Sequence, residues 1–197
     1  MRHAGAGSHQ SPEQVVVEPS SSRSLVIAVG TAVAFLALLA IVVLVARWKR
    51  VPLPFARPSL AAIAGWTAIF VVTAVAQELL GGYLGGGAAP RWDPLTPARL
   101  IRAFTIVLIA PLAEEVAFRG TMYGDLMKRR LHPALAILLP AVAFTAVHIQ
   151  YFGPGLVFIL VDGIVFGLAR HHTKSLFLPV MLHTLGNAYA VAERLPW

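Results

Sequence analysis

The chain has 197 residues, of which 57% are hydrophobic and only 13% charged. Soluble domains carry about 25% charged residues, so this composition excludes an ordinary soluble fold and indicates an all-α, polytopic membrane protein with room for about five to seven spans. The net charge of +7 does not imply a nucleic-acid partner, because the basic residues cluster at the ends of apolar segments, where they set topology and contact membrane lipid. With no cysteine, disulfides, Cys-ligated zinc and thiol nucleophiles are excluded.

Residues Met1 to Ser24 are rich in Ser, Gly, His and Pro without a hydrophobic period, which predicts a disordered tail. The apolar run Leu25 to Ala46 stops at Arg47-Trp48-Lys49-Arg50. It exceeds the roughly 7–15 apolar residues of a signal peptide and follows an extended tail, so it reads as a retained anchor. A second span is expected over Leu60 to Leu80, ended by the glycine-rich turn Gly81 to Gly87. Pro90, Pro94 and Pro97 make the next segment a loop. A third helix is predicted from Ala98 to Lys128, with Pro111 bending it one turn before a pair of glutamates. Three further spans follow, from Pro133 to Gln150, Gly155 to Arg170 and Leu176 to Ala192. The chain thus divides into a tail (1–24), two N-terminal spans with their loop (25–97) and a C-terminal unit (98–197).

The loops after the first, third and fifth spans hold Arg47, Lys49, Arg50 and Arg57, then Lys128, Arg129 and Arg130, then Arg170 and Lys174. The opposite side is poorer in Lys and Arg, which predicts cytoplasmic odd loops and both termini outside.

Three polar clusters interrupt these spans: Glu114-Glu115 with Arg119, Phe144 with His148, and His183 with Asn187. An ionisable side chain near the bilayer centre costs roughly 2.5–3.5 kcal/mol on insertion scales, so such residues mark function by default. Glu115 and Arg119, four apart, share a helix face and can pair, whereas Glu114 lies about 100° around the helix and is directed elsewhere. Glu115 and Arg119 are therefore expected to be supporting and Glu114 to face the chemistry. His183 and Asn187 share a face and offer donors to an oxyanion, and His183 could alternatively bind a metal. At 1.5 Å per residue, Glu114, His148, His183 and Asn187 lie ~21, ~22, ~13 and ~20 Å from their helix ends, so all four can meet at one depth. Asp162 is a further intramembrane acid, read as supporting: a partner for Arg119, a hydrogen-bond partner for a histidine, or a cavity residue. Glu78, at a span end, and His171 and His172, in a basic loop, are read as interfacial.

A serine peptidase is excluded because the serines lie in the tail or near loops, and an H-E-x-x-H zinc helix because no His-Glu pair occurs. An aspartyl mechanism would need two deep aspartates, and only Asp162 qualifies. Two chemistries remain. Glu114 and His148 could activate water while His183 and Asn187 stabilise the oxyanion, or a His₂Glu metal site could form from Glu114, His148 and His183.

The run Ala110 to Gly120, with Glu114-Glu115 and Arg119, resembles the E-E-x-x-x-R motif of CPBP-family intramembrane proteases. This family comprises type II CAAX prenyl endopeptidases and bacteriocin-processing or bacteriocin-immunity proteins. Phe144 to His148 resembles its F-x-x-x-H motif, and Gly163 to Asn187 its closing H-x-x-x-N segment. The resemblance covers about Arg99 to Ala192. It implies a helical membrane fold with a conical cavity, and peptide hydrolysis in which Glu114 and His148 activate water and His183 and Asn187 form the oxyanion hole. Glu115 and Arg119 carry over as supporting residues. Many members are named metalloproteases while the prenyl endopeptidase branch looks metal-independent, so zinc or no cofactor both stay open.

The resulting expectation is a multi-pass endopeptidase of a bacterial cell membrane, acting on a membrane-associated peptide or protein. A non-catalytic immunity or scaffold protein with the same fold is the alternative, and a proton-relay transporter a third.

Overall fold

The computed structural model describes residues 21–84, 91, 92, 94–148 and 153–195, and all regular structure among them is helical. Six helical bodies follow in order. They are α1 (Ser21–Trp48), α2 (Leu60–Tyr83), α3 (97–128), α4 (Pro133–Ala146), α5 (Pro154–Thr173) and α6 (Phe177–Ala192). Three of them, α1, α2 and α5, are long and apolar enough to cross a membrane. The 1.5 Å rise makes the 32 residues of α3 roughly 48 Å long, enough to cross and protrude.

Local chemistry starts these helices where the sequence changes character. Ser59 accepts a hydrogen bond from the Ala62 amide at the N-terminus of α2. Thr96 does the same for Arg99 ahead of Pro97, which opens α3. Serine and threonine caps satisfy amides left without helical partners, and proline at the first helical position loses nothing by lacking an N–H. Arg50, Arg130 and Lys174, just beyond α1, α3 and α5, all take left-handed backbone angles (φ 53°, 60° and 57°). Each also places a cation near a helix C-terminus, where the macrodipole favours it.

The basic loops gather at one end of the bundle. Lys128 Nζ donates to the Lys49 carbonyl at 2.8 Å, and the Leu176 amide to the Pro54 carbonyl at 2.7 Å. Asp125 holds Lys49 at 3.3 Å and Arg129 at 3.0 Å. At the other end the Trp92 amide meets the Arg194 carbonyl at 2.6 Å. The alternating up-and-down order follows from these ties and the short connections.

Helices α4 and α5 pack closely because α5 carries glycine on its contact face. A Cβ at Gly163 would lie 3.2 Å from Ala141 Cβ, and one at Gly167 would lie 2.8 Å from Ile137 Cγ2. Small residues one turn apart let apolar helices approach where no hydrophobic effect drives them together. A second core forms where Phe70 of α2 meets Val165, Phe166 and Ala169 of α5 and Leu178 and Leu182 of α6.

Several boundaries differ from the sequence reading. Helix α1 begins at Ser21, inside the expected tail, and α2 runs on through Gly81 and Gly82 to Tyr83. Helix α4 ends at Ala146, so His148 stands in the turn beyond it rather than within a span. Pro111 is accommodated by a π-helical turn at Thr105–Ile109, and a second π turn occupies Val116–Met122. The tail before Ser21, the rest of the glycine-rich turn (85–87), Pro90 and Gln150 lie outside the described residues.

Candidate active site

The wide turn at Pro111 explains the position of Asn187. In a π turn the Ala110 amide reaches back five residues to the Thr105 carbonyl. The next amide in that register would serve the Ile106 carbonyl, but residue 111 is proline and has no N–H. Asn187 Nδ2 donates to the Ile106 oxygen instead, at 2.8 Å. One amide hydrogen of Asn187 is thereby used for backbone, and its second remains available to the cavity it lines.

Glu115 and Arg119 are fully buried and paired, with Nη1 to Oε1 at 2.8 Å. Arg119 Nη2 also donates to the Gly163 carbonyl at 3.0 Å, and its guanidinium lies over the Phe144 ring, 4.6 Å from the centroid. The same Glu115 oxygen accepts from His183 Nδ1 at 3.0 Å. Burying a charge is tolerated only when its partners are in place, and this carboxylate has a cation and an imidazole on one oxygen.

His183 is buried, with its ring between two phenylalanines. Its ring stacks on Phe166 (5.3 Å between centroids, 23° between planes) and stands edge-on to Phe144 at 5.6 Å. With Nδ1 committed to Glu115, Nε2 faces Glu114 Oε2 at 3.7 Å. The two adjacent glutamates therefore flank one histidine, each from its own direction, as the 100° step between neighbours requires.

His148 is tethered by its own helix end. Its amide turns back to Thr145, so the Phe144 carbonyl lacks the usual amide four residues on. His148 Nδ1 occupies that position at 2.7 Å. A carbonyl can only accept, so Nδ1 carries the hydrogen, and in the neutral ring Nε2 carries the lone pair.

A cavity of about 580 Å³ is lined by His148, Asp162, His183 and Asn187 together with Phe70, Phe144, Phe158 and Phe166. Beside this lining, Glu114 keeps 14% of its side chain exposed and sets Oε2 3.7 Å from His183 Nε2. Asp162 lines the cavity and is bonded to Gln77 Nε2 at 3.1 Å, while Arg119 reaches the neighbouring Gly163 backbone instead of the Asp162 side chain. Glu78, read from sequence as merely interfacial, is exposed at the cavity wall. Gln77 and Phe166 were not singled out by sequence reasoning. Gln77 stands on the same helical stripe as Phe70, Ala74 and Gly81, which is the signal that could have found it.

Among the described residues, no three His, Cys, Asp or Glu side chains stand in a metal-holding arrangement. Glu114 and His183 approach each other, but Glu115 is committed to Arg119 and His183. Glu114, His148 and His183 are not gathered as such a trio among the described residues.

Residues 96–189 match the family model described as type II CAAX prenyl endopeptidase Rce1-like. An Escherichia coli protein described as an uncharacterized 24.3 kDa protein is 33% identical over 93 residues, covering 46% of this chain and 43% of that one. The membrane-embedded CAAX protease MroQ of Staphylococcus aureus (strain USA300) is 27% identical over 136 residues, covering 64% of this chain and 52% of that one. The chain spans about half the length of these curated relatives. No solved structure matches it. The match over residues 96–189, which carry all three motifs, and the similarity to a CAAX protease support assignment of this segment to the CPBP family.

Proposed function

We propose that this protein is a glutamate-type intramembrane endopeptidase that cleaves a peptide bond of a membrane-associated peptide or protein. The observation that carries the reading is His183, set between Glu115 at 3.0 Å and Glu114 at 3.7 Å on the wall of a cavity shared with His148 and Asn187.

In this reading His148 Nε2 orients a water whose proton passes to Glu114. The water oxygen attacks the scissile carbonyl carbon, and the oxyanion receives N–H donors from His183 Nε2 and the second amide hydrogen of Asn187. As the C–N bond breaks, the proton held by Glu114 passes to the leaving nitrogen, giving a carboxylic acid and an amine and returning Glu114 to its carboxylate. Glu115 and Arg119 hold His183 in place. The proposed chemistry runs without a metal, and cytoplasmic basic loops in a bacterial membrane complete the proposal.

The test is cleavage of a membrane-peptide library by the purified protein in proteoliposomes, compared with Glu114→Gln. Products from the wild type alone support the enzyme. Wild-type biological activity retained by Glu114→Gln would instead favour the non-catalytic immunity or scaffold reading.

A further inference from the structure

The cavity is not built from the family-matched segment alone. Helix α2, which precedes residue 96, supplies Phe70, Ala74, Gln77 and Gly81 to its wall. The spacings of four, three and four residues put these side chains on one helical stripe. Most of α2 is otherwise exposed, and Phe70 is its one buried residue. Two apolar contacts seat the stripe: the Phe70 ring against Phe166 at 5.7 Å, and Gly81 beside Phe158.

Gln77 is the uncharged polar member of this stripe, and its orientation is determined. Nε2 donates to Asp162 Oδ1 at 3.1 Å and to the Phe158 carbonyl at 3.4 Å. Both acceptors take the amide nitrogen, so the amide oxygen is the group Gln77 can offer to the cavity. An acceptor held still in a wall of phenylalanines suits a backbone N–H, because a peptide N–H entering an apolar cavity must find a partner. Fixing the acceptor beforehand lowers the ordering cost of binding.

Building on the endopeptidase reading, we propose that Gln77 is a substrate-positioning residue that accepts a hydrogen bond from one backbone N–H of an extended peptide in the cavity. Asp162 and the Phe158 carbonyl act through it, by holding its amide. This assigns the N-terminal helix a part in peptide recognition and gives Asp162 a specific supporting task.

The experiment uses the full chain in proteoliposomes and a peptide that the wild type cleaves, synthesised as a series with each backbone nitrogen methylated in turn. Gln77→Met is expected to raise KM about three- to tenfold, the worth of one hydrogen bond, with kcat within about twofold. One N-methyl position should raise KM in the wild type and add nothing in Gln77→Met. A purely structural tie between α2 and α5 would not single out one substrate nitrogen, so equal N-methyl effects in both proteins would overturn the assignment. Where Gln77→Met does not reach the membrane folded, Gln77→Asn withdraws the oxygen by one methylene and serves the same comparison. A wild type that cleaves no peptide removes the endopeptidase reading itself, whereas cleavage with unchanged KM in the variants removes Gln77 alone.

Discussion

His183 and Glu115 meet at 3.0 Å between Nδ1 and Oε1, and the same oxygen takes Arg119 at 2.8 Å. A pair that looks like an ordinary i,i+4 ion pair is thus the support for a histidine 68 residues away. Removing one partner of a buried pair leaves an uncompensated charge. Arg119→Ala or Glu115→Ala is expected to cost about 3–5 kcal/mol of stability, measured by unfolding in mixed micelles. Glu115→Leu with Arg119→Leu should recover most of that stability and none of the hydrolysis. Single variants as stable as the wild type would contradict the account.

Glu114→Gln and His148→Ala should each reduce cleavage by about 10²–10⁴-fold, the usual worth of an acid–base group. Neither residue anchors the fold as Arg119 does, so both variants should insert and unfold like the wild type. Cleavage within tenfold of wild type in either would remove that residue from the mechanism.

Asn187 and Pro111 are coupled through one carbonyl. Asn187→Ala strands the Ile106 oxygen and should cost about 1–3 kcal/mol. Pro111→Ala supplies an N–H in the register that reaches Ile106, so the same Asn187→Ala change should cost roughly 1 kcal/mol less in that background. A double-mutant cycle on unfolding free energies measures this; additive changes would refute it.

The α4–α5 contact predicts a contrast between glycines. Gly167→Ala forces a Cβ to 2.8 Å from Ile137 and should destabilise by about 1–3 kcal/mol. Gly65→Ala, with nothing within 4 Å, should be neutral or stabilising by about 0.5–1 kcal/mol. Similar unfolding shifts for both would mean the close approach is wrong.

In the metal-independent form of the proposed mechanism, exhaustive treatment with a chelator should leave peptide cleavage unchanged. Loss of activity restored by added zinc would reverse the metal-independent reading.

Much of this arrangement is legible in the chain itself. Six apolar runs become six helical bodies, because composition and length decide helix in a membrane setting. The Glu115–Arg119 pair follows from a spacing of four. The end of α4 was less legible, because Phe144 to His148 continues an apolar helical pattern, and only the backbone shows His148 capping Phe144 beyond the helix. Gln77 went unnoticed because an uncharged amide near a span end carries little signal until its neighbours on α5 are known.

The sequence by itself determined the membrane class, the order of helices and the contacts within a helix, since backbone hydrogen bonds and i,i+4 neighbours are local. The tertiary structure alone decided that His183 lies between Glu114 and Glu115, that Asn187 serves the carbonyl left by Pro111, and that α2 completes the cavity. Helices apolar on all sides do not declare which face turns inward. That rotation is set by where glycines admit a neighbour and where buried polar groups find partners, and both are properties of the packed bundle.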